Sequence, residues 1–227
     1  MCVLLRIPGV YEPQGDTFLL REALRCVTLP PHAEALDACT GNGLIALTAA
    51  RLGAARVLAV DSSPLAVASA KLNARLAGLP VRVRLGDFLT CAAGRRFDLV
   101  TANPPYVPCP PRPPARVGVG SLGPARAWHA GEDGRRQLDR LCAAAPDLLT
   151  DGGVLLLVHS ALCGVDRTLR DLRDRGLDAS VAQRRRQPFG PVLHAHARWL
   201  EERGLIAPGQ RDEELVVIRA VRRSTPA

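Results

Sequence analysis

Aromatic side chains are scarce in this 227-residue sequence, at 4%, so its core has to be assembled mainly from Leu, Val and Ala. Lysine is almost absent: Lys71 stands alone, and the formal net charge of +8 is carried by arginine. Such a balance permits a polyanionic partner. The arginines, however, come with abundant Ala and Pro along the whole chain, which points to a compositional bias more than to a binding patch. Arg184, Arg185 and Arg186 form the one local concentration. No C-x-x-C pair occurs among the seven cysteines, whose number is odd, and this argues against a disulfide framework or a zinc knuckle. His194 and His196 lack a third ligand nearby, so no metal is expected, and a polar helix face is the reading for them. No stretch approaches roughly 18 uninterrupted apolar residues, and no apolar leader precedes a small-residue cleavage site. The expectation is a soluble, cytoplasmic protein with no membrane partner.

What is present is an alternation. A chain of this length forms one domain and buries roughly 70% of its unfolded surface. After a lead-in over 1–33, with a helix starting at Asp16 or Thr17, a strand is predicted from Ala35 to Ala38 and a helix from Leu44 to Leu52. The pattern repeats with strand Arg56 to Val60, helix Pro64 to Ala77, and strands Val81 to Leu85 and Phe97 to Ala102. Residues 107–134 then lose all periodicity, as a rim over a substrate would. A helix from about Asp133 to Leu149, strand Val154 to His159 after a D-G-G turn, helix Val165 to Arg175, strand Asp178 to Arg186, helix Val192 to Glu202 and strand Glu214 to Val221 complete the chain, with 222–227 as a tail. Seven strands alternating with helices predict an α/β, Rossmann-like fold: a mostly parallel sheet with helices on both faces.

The chemistry gathers at strand ends. Asp37, Asp61 and Asp87 close three successive strands, and ligands of such folds bind outside the carboxyl ends of the strands. Between the first two lies D-A-C-T-G-N-G, where Gly41 and Gly43 allow a tight bend and close ligand approach. No G-K-S or G-K-T accompanies the glycines, so nothing marks a phosphate site. Asp61 is placed to accept from ribose hydroxyls, Asp87 from an adenine amine, with Phe88 beside it, and Asp37 to meet an ammonium. Together they fit S-adenosylmethionine, although each Asp taken singly could as well cap the following helix. Behind the fourth strand stands N-P-P-Y, from Asn103 to Tyr106. Asn103 offers a side-chain acceptor, Pro104 a carbonyl in a segment with fixed φ and no N–H, and Tyr106 a flat ring, a set that suits a planar NH2 group.

The series L-D-A-C-T-G-N-G, V-D-S-S-P, G-D-F and N-P-P-Y resembles class I S-adenosylmethionine-dependent methyltransferases that modify amino nitrogens. More narrowly, Y-E-P-Q-G-D-T-F-L-L-R-E-A-L and A-W-H-A-G-E-D-G-R-R-Q-L-D-R-L are similar to the HemK-like protein methyltransferases, in the short branch that modifies a glutamine of translation release factors. The resemblance spans residues 10–160. It implies a sheet whose last strand runs antiparallel, and a cofactor site of Thr17, Asp37, Cys39, Gly41, Gly43, Asp61, Asp87, Phe88 and Asn103. It also implies that Asn103, Pro104 and Tyr106 hold the target nitrogen, that a release-factor-like protein is the substrate, and it leaves open a small activating subunit. Cys39 departs from the family pattern, which has glycine there. The 36 residues before the glycine turn are too few for the helical recognition domain of longer relatives, so substrate choice is expected in 107–134 and 184–204. The motif fits any NH2 group, and a nucleic-acid amino-methyltransferase or a small-molecule N-methyltransferase stays open beside the protein reading.

Overall fold

The computed structural model describes residues 4–5, 7–110 and 128–223. The elements run α1 (Gly15–Leu24), β1 (Glu34–Ala38), α2 (Leu44–Arg51), β2 (Arg56–Asp61), α3 (Pro64–Ala77), β3 (Val81–Leu85), α4 (Phe88–Ala92) and β4 (Phe97–Ala102). They continue with α5 (Arg136–Leu148), β5 (Leu149–Ser160), α6 (Val165–Arg173), β6 (Leu177–Pro188), α7 (Pro191–Glu202) and β7 (Asp212–Arg222). The strands form one sheet in the order β3-β2-β1-β4-β5-β7-β6. The β3-β2-β1-β4-β5 block is parallel, while β7 is antiparallel to both β5 and β6. The strand order reverses between β1 and β4, and a crevice opens at such a switch point.

Central strands without polar alternation are what a sheet covered on both faces requires. Leu36, Leu58, Val60, Leu99 and Val100 are buried accordingly. Helix α3 shows how local sequence fixes an element: Pro64 takes the first turn, the Ser63 hydroxyl accepts from Ala66 N at 3.5 Å, and Gly78 ends the helix in the left-handed region at φ 62°.

The boundaries differ from expectation where local chemistry overrode periodicity. Gln14, not Asp16 or Thr17, is the N-cap of α1, and both residues fall in its first turn and are buried. Helix α4 went unpredicted, being only five residues long. The D-G-G segment is an excursion inside β5: Phe97 pairs with Leu149, and Leu99 next with Val154. Arg222, expected to open the tail, closes β7, and its guanidinium donates to the carbonyls of Pro146 and Leu149. Residues 111–127 of the rim segment lie outside the described residues. The two ends of that segment meet, because Val107 N donates to Trp128 O at 3.0 Å and Cys109 N to Gly131 O at 2.9 Å.

Candidate active site

A cleft of about 180 Å³ opens at the carboxyl ends of β1, β2 and β4. At roughly 10 to 15 Å³ per water it has room for a nucleoside-sized ligand, not only an ion. Thr17, Asp37, Cys39, Gly41, Asp61, Asp87, Phe88, Asn103, Pro104 and Tyr106 all line it. Gly43 does not. It starts α2 at φ 88°, and a Cβ there would stand 3.3 Å from Cα and Cβ of Ala70, so this glycine serves the packing of α2 on α3. A Cβ on Gly41 would meet nothing within 4 Å, which leaves the backbone of the turn open to the cleft.

Asp37 is wholly enclosed and accepts from Thr40 Oγ1 at 2.6 Å, Thr101 Oγ1 at 2.7 Å and Ala46 N at 3.1 Å. It thereby ties the glycine turn, the first turn of α2 and strand β4 together at the switch point. Burial pushes its pKa up to about 6, against the pull of those three donors. Asp61 accepts from Gly41 N and Ser63 N, at 2.9 and 2.8 Å, and so shapes the turn from the opposite side. Asp87 caps α4 through Leu89 N at 3.0 Å and pairs with Arg140 at 2.8 Å. The Arg140 guanidinium also lies over the Phe88 ring, 5.3 Å from its centroid. Arg140 belongs to α5 and lies within the quoted A-W-H-A-G-E-D-G-R-R-Q-L-D-R-L stretch, where it received no site role.

Cys39 adopts φ 59°. This left-handed conformation is the one that glycine reaches without a Cβ penalty, which accounts physically for the glycine of the family pattern. Burial, and then the three carboxylates around it, raise the thiol pKa, so the side chain is a neutral part of the wall.

At the other end of the cleft, Asp16 is a hub. Its Oδ2 accepts from Tyr11 and Tyr106 hydroxyls, each at 3.0 Å, and its Oδ1 from Thr17 N at 2.5 Å and Thr17 Oγ1 at 3.1 Å. The Thr17 hydroxyl, its proton given to Asp16, can only accept, and it does so from Asn103 Nδ2 at 3.1 Å. This relay settles the orientation of Asn103: NH2 toward Thr17, Oδ1 left for a ligand. No donor among the described residues reaches Asn103 Oδ1 or the Pro104 carbonyl. Burial, followed by the charge of Asp16, holds the Tyr106 phenol well above its ordinary pKa. Tyr11, Asp16, Gln187 and Glu213 line this end; the first two lie in the quoted Y-E-P-Q-G-D-T stretch but received no site role there, and Gln187 and Glu213 belong to no motif. Trp128 is buried and forms part of the wall, at 6.0 Å from the His196 ring. His196 is therefore an inward residue and not part of a polar helix face.

Five carboxylates, Asp16, Asp37, Asp61, Asp87 and Glu213, line the cleft, with no Lys, Arg or His among the described lining residues. In a chain of net charge +8 this concentration suits a ligand that is cationic and carries no phosphate.

The chain is 32% identical over 190 residues to a putative protein N5-glutamine methyltransferase of Methanocaldococcus jannaschii, covering 84% of this chain and 92% of that one. It belongs to the protein glutamine methyltransferase family. A release factor glutamine methyltransferase of Moorella thermoacetica is 40% identical over 154 residues; these cover 66% of this chain and 54% of that protein, so the chain spans about half the length of this relative. Residues 17–104 match the family model described as ribosomal protein L11 methyltransferase (PrmA). Among solved structures, the E. cuniculi Mtq2-Trm112 complex aligns with TM-score 0.61 at 21% identity, over 94% of this chain and 99% of that chain, and supports the fold. The family adds to the cleft a chemistry its geometry already accommodates: methyl transfer to nitrogen.

Proposed function

We propose that this enzyme transfers a methyl group from S-adenosylmethionine to the side-chain amide nitrogen of a glutamine in a protein substrate of the translation release factor type. The observation that carries the reading is the pair of unspent acceptors, Asn103 Oδ1 and the Pro104 carbonyl, in a cleft lined by carboxylates and no cations. The cofactor fits on the same ground: a sulfonium, an ammonium and ribose hydroxyls meet acceptors everywhere, and no phosphate is called for. S-adenosylmethionine supplies an electrophilic methyl group.

The chain's own residues do the rest. Asn103 Oδ1 and Pro104 O accept the two N–H bonds of the acceptor and aim its nitrogen, while the Asp16–Thr17 relay keeps the asparagine from flipping. Tyr106, immobilised through Asp16, presents its ring as a flat wall. Holding the reactants in line is worth up to roughly 7 to 11 kcal/mol of the barrier, and fixed dipoles add to it as positive charge develops on nitrogen.

A nucleic-acid substrate has less support. Arg184 and Arg185 are paired with Glu214 and Glu22, at 2.5 and 2.6 Å, so the arginine cluster is largely neutralised. A small partner subunit has a candidate seat at the outer edge of the sheet, where β3 carries no further strand among the described residues and Leu85 and Leu76 are 54% and 63% exposed; the Mtq2 neighbour is itself seen as a complex with Trm112. Among the described residues no helix is long and apolar enough to cross a membrane, and we place the activity in the cytoplasm. The test is to incubate the enzyme with labelled methyl donor and, separately, purified release factor, RNA, DNA and a small-molecule extract. Label in the release factor, on glutamine, is expected; label confined to nucleic acid would overturn the reading.

A further inference from the structure

The carboxylates of the cleft leave one part of the cofactor unanswered. Adenine has an amine that donates, but its ring nitrogens N1, N3 and N7 only accept, and a wall of acids offers them nothing. A side-chain N–H beside Asp87 and Phe88 would complete the recognition of the base.

Gln137 carries such a group. It lies in the first turn of α5, lines the cleft and is half-buried. Its Oε1 accepts from Arg140 Nη1 at 3.0 Å, one turn further along the helix. Arg140 Nη2 reaches Asp87 Oδ2 at 2.8 Å, and the same guanidinium lies over Phe88, 5.3 Å from the ring centroid. One planar group, itself outside the lining of the cleft, therefore joins three residues that do line it, Asp87, Phe88 and Gln137. A guanidinium can only donate, so its contact with Gln137 settles which end of that amide is the oxygen. Gln137 Nε2 keeps two hydrogens that meet no acceptor among the described residues.

Resting on the S-adenosylmethionine reading above, we infer that Gln137 is a further cofactor-binding residue whose Nε2 donates to a ring nitrogen of the adenine, and that Arg140 positions it by holding its oxygen. Asp87 accepts from the adenine amine, so acceptor and donor stand on either side of one guanidinium and read opposite features of the same base. Without Arg140 the amide of Gln137 turns over and sets an oxygen against a nitrogen lone pair. Two simpler arrangements compete. The backbone N–H of Phe88 is a rival donor, but it does not change with the side chain at 137. A Gln137 that only braced Arg140 on the helix surface would need its Oε1 and have no use for Nε2, a role that glutamate fills as well.

The test is calorimetry on full-length wild type, Q137L, Q137E and R140M with S-adenosylhomocysteine and its 1-deaza, 3-deaza and 7-deaza analogues, in each of which a CH replaces one ring nitrogen. In the wild type the analogue lacking the recognised nitrogen is expected to bind about 2- to 10-fold more weakly than the parent, the loss of one hydrogen bond. Q137L is expected to weaken the parent by a similar factor and to erase the penalty of that one analogue. Q137E keeps an acceptor for Arg140 but has no N–H, so the penalty is expected to vanish there too. R140M is expected to shrink the same penalty with Gln137 still in place. Thermal melts without ligand control for folding, which cannot by itself abolish the penalty of a single analogue. Analogue penalties of wild-type size in Q137L, or a penalty that Q137E preserves, overturn the inference. A penalty left whole in R140M removes the positioning role of Arg140. Wild type that binds no S-adenosylhomocysteine removes the cofactor reading and this one with it, whereas normal binding by wild type and Q137L alike, with unchanged penalties, sinks this inference alone.

Discussion

The two ends of the cleft spend their acceptors differently. At the cofactor end, Asp37 answers three donors of its own chain, Asp61 two backbone N–H groups, and Asp87 a backbone N–H and Arg140. At the acceptor end, Asp16 is likewise saturated, but Asn103 Oδ1 and Pro104 O have no donor among the described residues. The difference separates two tasks. The acids of the cofactor end build the turns that present backbone to a ligand, so their loss should register first as stability. The two unspent oxygens of the acceptor end, on Asn103 and Pro104, accept from no described residue, so their loss should register as activity.

The largest effect that would sharpen this contrast is expected from Asn103→Ala. Turnover should fall by at least about 100-fold, the scale on which a fixed dipole at a reacting centre acts, while cofactor affinity by calorimetry changes little. Near-normal turnover would break the contrast at its acceptor end.

His159, fully buried in β5, supplies a control outside both ends. Its Nδ1 lies 2.8 Å from Ser160 O, its Nε2 is unpartnered, and burial pushes its pKa down from 6.5 to about 4. Because the unfolded chain binds the proton more tightly, the native state gains stability from this residue as pH rises between about 4 and 6.5. The contribution amounts to about 3 kcal/mol at neutral pH relative to acid, at ~1.4 kcal/mol per unit. Asp37 works against it, since its raised pKa gives stability below 3.8 that is lost as pH rises through about 6. The acid limb of the wild type is therefore shallow. Urea melts of His159→Leu should show stability falling with rising pH over that window, as the Asp37 contribution is unmasked; an unchanged profile would contradict the assignment.

Asp37→Asn is expected to cost about 2 kcal/mol in the same melts, since an NH2 would face donors that now meet an acceptor. A variant of native stability that only loses turnover would reverse the roles drawn for the two ends. The smallest effect belongs to Cys39→Gly. Relief of the left-handed backbone should raise stability by about 1 kcal/mol or less after the entropy of the added glycine is subtracted, with cofactor affinity shifted only a few-fold.

The same division explains what could be read from sequence. Parallel strands β1 to β4 each end in a motif a few residues long, so the chemistry of the cofactor end is contiguous in sequence and the strand ranges emerge almost unchanged. Cys39 was visible as a departure, but its positive φ is a property of the folded turn. The acceptor end is assembled from residues 11, 16, 103, 187 and 213, brought together by α1 and by an antiparallel pair whose register no local pattern states. A faint signal existed for Glu213, because period-two alternation places it on the face of Leu215 and Val217. Arg140 reaches Phe88 from a helix whose periodicity announced only its apolar side.

Tyr11 and Tyr106 are the only two tyrosines of the chain, and both donate to Asp16. Every tyrosine chromophore of the enzyme therefore reports from the same few ångströms. Set against the background of the two tryptophans, ultraviolet difference spectra of phenol ionisation report on the substrate-facing corner. Their alkaline titration, delayed because both phenols have raised pKa values, gives a readout of substrate docking that needs neither label nor turnover.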